Sequence, residues 1–230
     1  MNTLYLWLNV GSIAIPFAFS FYPKLKLYKQ WNSIFLAIIC TMLFYIPWDI
    51  IFTKNGIWGF NTDYLLGTSI AQLPIEEWLF FICIPYACIF THYALIHFFP
   101  RLSMSIITTK RLSYLSIGIL VILTIMYYDR WYTLINFGYA IILLLFSVKR
   151  NIKLLSSFYC TFLVILIPFF IVNGVLTGSG IPDEVVWYNN DENMGIRMFT
   201  IPIEDSVYAF TLLFTNVSLT QCFKKNLFRQ

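Results

Sequence analysis

The sequence predicts an all-α integral membrane protein of seven transmembrane helices, built from two parallel three-helix repeats plus a connecting helix. Three observations lead there. Of the 230 residues, 59% are apolar and only 11% charged, against about 45–50% and about 25% in ordinary soluble domains, which leaves too little polar surface for a water-soluble fold. The apolar residues come in runs near the roughly 20 residues that a helix needs to cross a bilayer. The order of features in the first part of the chain then recurs in the last part.

Apolar windows place the spans at 4–22, 32–53, 74–98, 112–128, 132–148, 154–173 and 202–223. No Lys or Arg precedes Lys24, so the first run is expected to be a retained helix, not a cleaved leader. The basic residues fall on alternate connections: Lys24, Lys26 and Lys29; Arg101, Lys110 and Arg111; Lys149, Arg150 and Lys153; Lys224, Lys225 and Arg229. Only Lys54, Arg130 and Arg197 lie on the other side. The positive-inside rule therefore places the protein in the cell membrane as a multi-pass chain with its N-terminus outside and its C-terminus cytoplasmic. Cys40, Cys83, Cys88, Cys160 and Cys222 lie in or at the ends of apolar runs without paired short spacing, which reads as packing.

All eleven acids lie in or beside the outer connections. Asp63, Asp129, Asp183, Glu184, Asp191 and Glu192 read as solvated loop residues. Asp49, Glu76, Glu77, Glu204 and Asp205 instead sit in the first or last turns of apolar helices, where ionisable groups are functional candidates.

The repeat concerns these acids. Span two ends in Ile46-Pro47-Trp48-Asp49; Asn55-Gly56 and Ile57-Trp58-Gly59-Phe60-Asn61 follow; span three opens with Leu73-Pro74-Ile75-Glu76-Glu77. The second part gives Ile167-Pro168, Asn173-Gly174, Val186-Trp187-Tyr188-Asn189 and Ile201-Pro202-Ile203-Glu204-Asp205. Counting crossings makes this a parallel duplication, with residues 1–98 and 132–230 as the repeats and 99–131 as the connecting helix and its loops. Both Pro-x-acid-acid helix starts would meet at one depth. Proline followed by an acid is also an ordinary way to start a helix; two copies at matching positions favour a shared site.

These segments resemble the small membrane-integral lycopene cyclases of bacteria, archaea and fungi, in which the two halves occur as separate chains or fused into one. The resemblance is carried by Pro47-Trp48-Asp49, Asn55 to Phe60, Leu73 to Glu77 with Phe80-Phe81, Pro168-Phe169, Asn173 to Thr177, Trp187-Tyr188-Asn189, Gly195-Ile196-Arg197 and Pro202 to Asp205. It implies a lycopene beta-cyclase of carotenoid biosynthesis, closing the open ends of a polyene drawn from the bilayer lipids into beta-ionone rings without a cofactor or metal and with no nucleic-acid partner. Such a reaction needs an acid, a base and a pocket that tolerates a cation. Glu76, Glu77, Glu204, Asp205 and Asp49 are the candidate catalytic groups, because adjacent buried carboxyls can divide into one neutral acid and one anionic base. Trp48, Trp58, Phe60, Trp187 and Tyr188 are candidates to face the cation, with the interfacial aromatic belt as the other reading. Asn173 would orient a carboxyl or turn the chain before Gly174. Arg197 would pair with Glu204 or Asp205. On this reading Glu76→Gln or Glu204→Gln stops ring formation.

Other functions fit less well. Gly178-Ser179-Gly180 lies in a loop with no strand before it, so no dinucleotide fingerprint occurs. His92 lies sixteen residues past Glu76, roughly 24 Å along a helix at about 1.5 Å per residue. Span seven has no mid-membrane Lys for a retinal Schiff base. The acids lack the spacing on one helix face that metal-dependent prenyl transfer requires. A non-enzymatic carrier or transporter of a lipophilic small molecule remains the alternative, since such proteins also gather polar groups where repeats meet.

Overall fold

The computed structural model describes residues 3–227, with side chains through Lys224; Arg229 of the last basic cluster lies outside the described residues. Seven helices follow the apolar windows: α1 (Leu4–Phe19), α2 (Trp31–Lys54), α3 (Ile75–Phe98), α4 (Ile106–Met126), α5 (Trp131–Arg150), α6 (Ile152–Leu176) and α7 (Ile203–Leu227). Helices α2 to α6 are long and apolar enough to cross a membrane, and the chain is a membrane protein on that ground. α1 is apolar but has 16 residues, about 24 Å at 1.5 Å per residue.

Two of the boundaries that differ from the windows bear on the site and the charges. α4 begins at Ile106 because the Ser105 hydroxyl accepts the Thr108 N–H and caps the helix there. Lys110 and Arg111 therefore ride inside its first turns. α6 continues to Leu176, so Asn173 is helical and its amide is free of turn duty.

Six short strands, which hydropathy does not reveal, stand in the loops: β1 (Trp58–Phe60), β2 (Ser69–Ile70), β3 (Leu73–Pro74), β4 (Val186–Tyr188), β5 (Arg197–Met198) and β6 (Ile201–Pro202). The β2–β3 and β5–β6 hairpins run directly into α3 and α7. Each hairpin closes on its helix start, through Ile75 N–H to the Thr68 carbonyl and Ile203 N–H to the Ile196 carbonyl, both 3.0 Å. Pro74 and Pro202 end these stems, where extended backbone and a missing N–H cost nothing.

The third pairing joins the halves. β1 and β4 run antiparallel with Gly59 opposite Trp187 and Trp58 opposite Tyr188. Asn61 N–H to the Val185 carbonyl and Asn189 N–H to the Ile57 carbonyl flank it as mirror bonds, each 2.9 Å. Asn61 and Asn189 also accept the N–H two residues on, from Asp63 and Asp191. Gly59 is required here, because a Cβ on it would stand 2.3 Å from Trp187 Cζ2.

Helix packing follows the same duplicate plan. α1 lies along α3 and α5 along α7, α2 packs on α7 and α3 on α6, and α4 leans on α5 and α6. Asn9 and Asn136 fix the paired helices: their amides donate to the carbonyls of Glu76 (2.8 Å) and Glu204 (2.7 Å) inside the core. An unpaired buried amide would cost about 1–3 kcal/mol, so these bonds hold α1 and α5 in one register. His92 is buried among packed side chains and bonds Thr161 at 2.9 Å.

Candidate active site

A cavity of about 470 Å³ lies between α1, α3, α6 and α7. Its walls are apolar, and Trp7 and Ile15 on α1, which line it, remain 65% and 67% exposed on the helix surface. The cavity therefore opens sideways between α1 and α6. At its strand-bearing end it meets Asp49, Glu77 and Asp205 with Asn173, Tyr5, Tyr132 and Tyr188. The three carboxyl side chains come from α2, α3 and α7, and their residues are 2%, 8% and 4% exposed.

The first half supplies two neighbouring carboxyls. Asp49 Oδ1 accepts the Trp58 indole N–H at 2.7 Å and the Thr53 hydroxyl at 3.3 Å. Asp49 and Glu77 line the cavity side by side, near enough for each to act on the other electrostatically, and the Tyr5 hydroxyl donates to Glu77 Oε2. Trp58 reaches Asp49 because the strand pairing with the second half holds it over the end of α2.

The second half supplies one carboxyl surrounded by donors. Asp205 Oδ1 accepts the Tyr132 hydroxyl at 2.6 Å, and Oδ2 accepts the Asn173 amide at 2.8 Å and the Tyr188 hydroxyl at 3.0 Å. The Tyr132 and Tyr188 rings stack at 5.9 Å. Burial, and then the Asp205 charge, push the Tyr188 phenol well above its ordinary value, so it remains a donor.

The two arrangements occupy equivalent places. Ile57 N–H bonds the Phe52 carbonyl and Val185 N–H bonds the Leu176 carbonyl; Asp49 and Asn173 each stand three residues before those carbonyls and face the same cavity. Sequence comparison alone pairs Asn173-Gly174 with Asn55-Gly56. The structure pairs Asn173 with Asp49, Glu77 with Asp205, and Tyr5 with Tyr132.

Of the residues singled out from the sequence, the structure brings Asp49, Glu77, Asp205, Trp58, Phe60, Asn173 and Tyr188 to the cavity. It turns Glu76 and Glu204 away. Both are fully buried, and each Oε1 is bound by a loop N–H, from Leu66 at 2.6 Å and Met194 at 2.8 Å, with Thr133 adding 2.7 Å to Glu204. Adjacent residues at a helix start project about 100° apart, so one of each pair faces the cavity and the other clamps the loop. Trp48 sits behind the cavity wall, edge-on to Tyr208 at 5.3 Å. Trp187 is half-exposed over Gly59. Arg197 does not pair with Glu204 or Asp205; its guanidinium donates to the Thr200 carbonyl and Asn190 Oδ1 and lies 5.9 Å over the Tyr188 ring.

Tyr5, Tyr132 and Tyr208 were not singled out from the sequence, yet all three line the cavity. A signal existed for the first two. Tyr5-x-x-x-Asn9-x-Gly11 recurs as Tyr132-x-x-x-Asn136-x-Gly138, a repeat in the helices that the acid motifs do not cover.

The family described as lycopene cyclase matches residues 2–96 and 129–223, two stretches that take in α1 to α3 and α5 to α7 except the last residues of α3 and α7. The chain belongs to the lycopene cyclase family. Among curated relatives, it is 36% identical over 62 residues to a bifunctional lycopene cyclase/phytoene synthase of Pyrenophora tritici-repentis, a stretch that is 27% of this chain and 10% of that protein. Similar matches, 33% over 64 residues and 30% over 59 residues, are to proteins of the same description in Arthroderma gypseum and Leptosphaeria maculans, covering 27% and 26% of this chain and 10% of each relative. The matched stretch is thus about a tenth of each of these relatives' length. No solved structure matches the chain.

Proposed function

We propose that the protein is a lycopene beta-cyclase that closes the ends of the polyene by acid and base chemistry of its own side chains, without a cofactor. One observation carries this reading: a single apolar cavity, open toward the bilayer, ends on two carboxyl arrangements of unlike chemistry. Two buried carboxyls side by side disfavour a double negative charge and keep one proton, which makes the Asp49–Glu77 pair the acid. A carboxyl receiving three donors is best satisfied as the anion, so Asp205 is the base.

The step balances without an external reactant. The Asp49–Glu77 pair gives its proton to the outermost double bond of the polyene, leaving a tertiary cation. The neighbouring double bond attacks that cation, forming the carbon–carbon bond of the ring and moving the positive charge to a ring carbon. Asp205 removes the proton from the adjacent ring carbon that carries the new bond, and the double bond of the beta-ionone ring forms. Trp58, Phe60 and Tyr188 offer ring faces to the cation, each worth about 2 kcal/mol or more when water is excluded. Tyr5, Tyr132 and Asn173 fix the carboxyls. The acid ends deprotonated and the base protonated, so one proton transfer resets the site.

The same reading includes seven transmembrane spans in two parallel three-helix repeats, 1–98 and 132–230, joined by 99–131, with the N-terminus outside the cell membrane and the C-terminus cytoplasmic. It takes the substrate from the membrane lipids through the opening between α1 and α6. Expression in a lycopene-accumulating bacterium, followed by pigment chromatography, tests it: beta-ring products are expected, and unchanged lycopene in membranes that contain the protein contradicts it. A carrier of a lipophilic molecule would bind lycopene and leave it open-ended.

A further inference from the structure

The repeat relates two sides of the molecule that do not look alike. On one side α1 and α3 of the first half meet α6 and α7 of the second around the cavity. On the equivalent side α5 and α7 meet α2 and α3, and the space is filled by an aromatic cluster of Tyr45, Trp48, Phe81, Tyr139 and Tyr208.

Equivalent positions explain the difference. Ser12, Ala87, Val172 and Ala209 line the cavity. Their counterparts, from the register set by Tyr5 with Tyr132, Asp49 with Asn173 and Glu77 with Asp205, are Tyr139, Thr215, Trp48 and Phe81. Each replaces a small side chain by a larger one. Tyr45 is the centre of the filling, with ring centroids 5.5 Å from Trp48, 6.2 Å from Phe81, 6.0 Å from Tyr139 and 5.3 Å from Tyr208. Two hydrogen bonds staple it, Tyr139 hydroxyl to Thr215 at 2.8 Å and Tyr45 hydroxyl to Thr211 at 3.1 Å. Tyr208 belongs to both sides: it lines the cavity and stands edge-on to Trp48 at 5.3 Å.

A symmetric protein would offer a polyene a passage through the middle, past the carboxyls. Here the passage is blind. We propose that Tyr208, backed by Trp48, Phe81 and Tyr139, is an end wall that fixes how far a polyene enters, so that its outermost double bond stops at the carboxyls. This inference rests on the cyclase reading and adds to it the residues that set substrate length. An end lengthened by a five-carbon unit meets the wall before its double bond is in register, and one end is held at a time.

The test uses membranes containing the full chain, supplied either with lycopene or with a polyene whose ends each carry an added five-carbon unit. Trp48→Val with Tyr139→Ser installs on the closed side the residues that the open side carries. The wild-type protein is expected to close the ends of lycopene in preference to lengthened ones, and the double variant to lower that preference by about tenfold or more, the scale at which hydrophobic pockets discriminate small groups. An unchanged preference in a variant that accumulates in the membrane overturns the inference. Where the double variant does not accumulate, Tyr139→Ser alone is held to the same outcomes. Ser12→Tyr supplies the converse: narrowing the open side should reduce ring formation from lycopene by about tenfold or more, and full activity there also overturns the assignment. A wild-type protein that leaves lycopene uncyclised defeats the proposed function itself, whereas cyclisation with an unmoved preference defeats only the end wall.

Discussion

The two halves bring different side chains to the same place. In the first, Asp49 and Glu77 face the cavity together; in the second, Asn173 stands where Asp49 stands and Asp205 where Glu77 stands. Exchanging one carboxyl for an amide changes the chemistry of the pair. Two neighbouring buried carboxyls disfavour a double charge, whereas an amide and two phenols surround a single carboxylate with donors. Two copies of one scaffold thus differ at this position, and the proposed function rests its division into acid and base on that difference.

Breaking either member should have the largest effect. Glu77→Gln and Asp205→Asn are each expected to lower ring formation by about 10²–10⁴-fold, the usual worth of a general acid or base. Pigment yield normalised to membrane-borne protein measures it. Asn173→Asp makes the second half resemble the first and turns a donor to Asp205 into a like charge. A hydrogen bond to a charged group is worth about 1.5–3 kcal/mol, so ring formation should fall about 10–100-fold in the same assay. Tyr132→Phe and Tyr188→Phe remove one donor each and should cost about tenfold apiece. Equal activity in all three donor variants would mean that Asp205 does not need its shell.

Glu76→Gln and Glu204→Gln sharpen the comparison from the other direction. Their Oε1 atoms hold loop N–H groups, which a Gln oxygen can also accept, and both side chains point away from the cavity. Ring formation per molecule should stay within about threefold, while stability falls by about 1–3 kcal/mol as an amide enters a fully buried position. Thermal loss of the folded protein in detergent measures the second part. The reading from sequence alone expects either change to stop the reaction, so the same assay decides between the two expectations. Gly59→Ala should have the smallest effect on chemistry. It pushes the Trp187 ring off the β1–β4 ribbon at a cost of about 1–3 kcal/mol in overpacking, readable as a lower melting temperature.

The helices were legible because their signal is averaged over about twenty residues and survives any local irregularity. Asp49, Glu77 and Asp205 were legible because a carboxyl in an apolar helix turn stands out against its surroundings. Which of two adjacent acids faces the cavity depends on helical phase, and a boundary uncertain by one residue turns a side chain through about 100°. That is why Glu76 and Glu204 could not be separated from their neighbours. Asn173 was mispaired because four more residues separate it from Trp187-Tyr188 and the following acids than separate Asp49 from their counterparts, and only the capping bonds to Phe52 and Leu176 restore the register. The strands escaped notice because two or three residues carry no periodicity. Tyr5 and Tyr132 escaped because a tyrosine near a helix end is commonplace in membrane proteins; their partners, not their positions, mark them.

The division of labour between the halves is tested most directly by placing Glu77→Gln and Asp205→Asn beside the wild-type chain in a lycopene-producing host and separating the pigments. Beta-ring carotenoids from the wild type, with open-ended lycopene retained by both variants at comparable membrane levels, is the predicted pattern. Rings formed at undiminished yield by either variant would contradict the account.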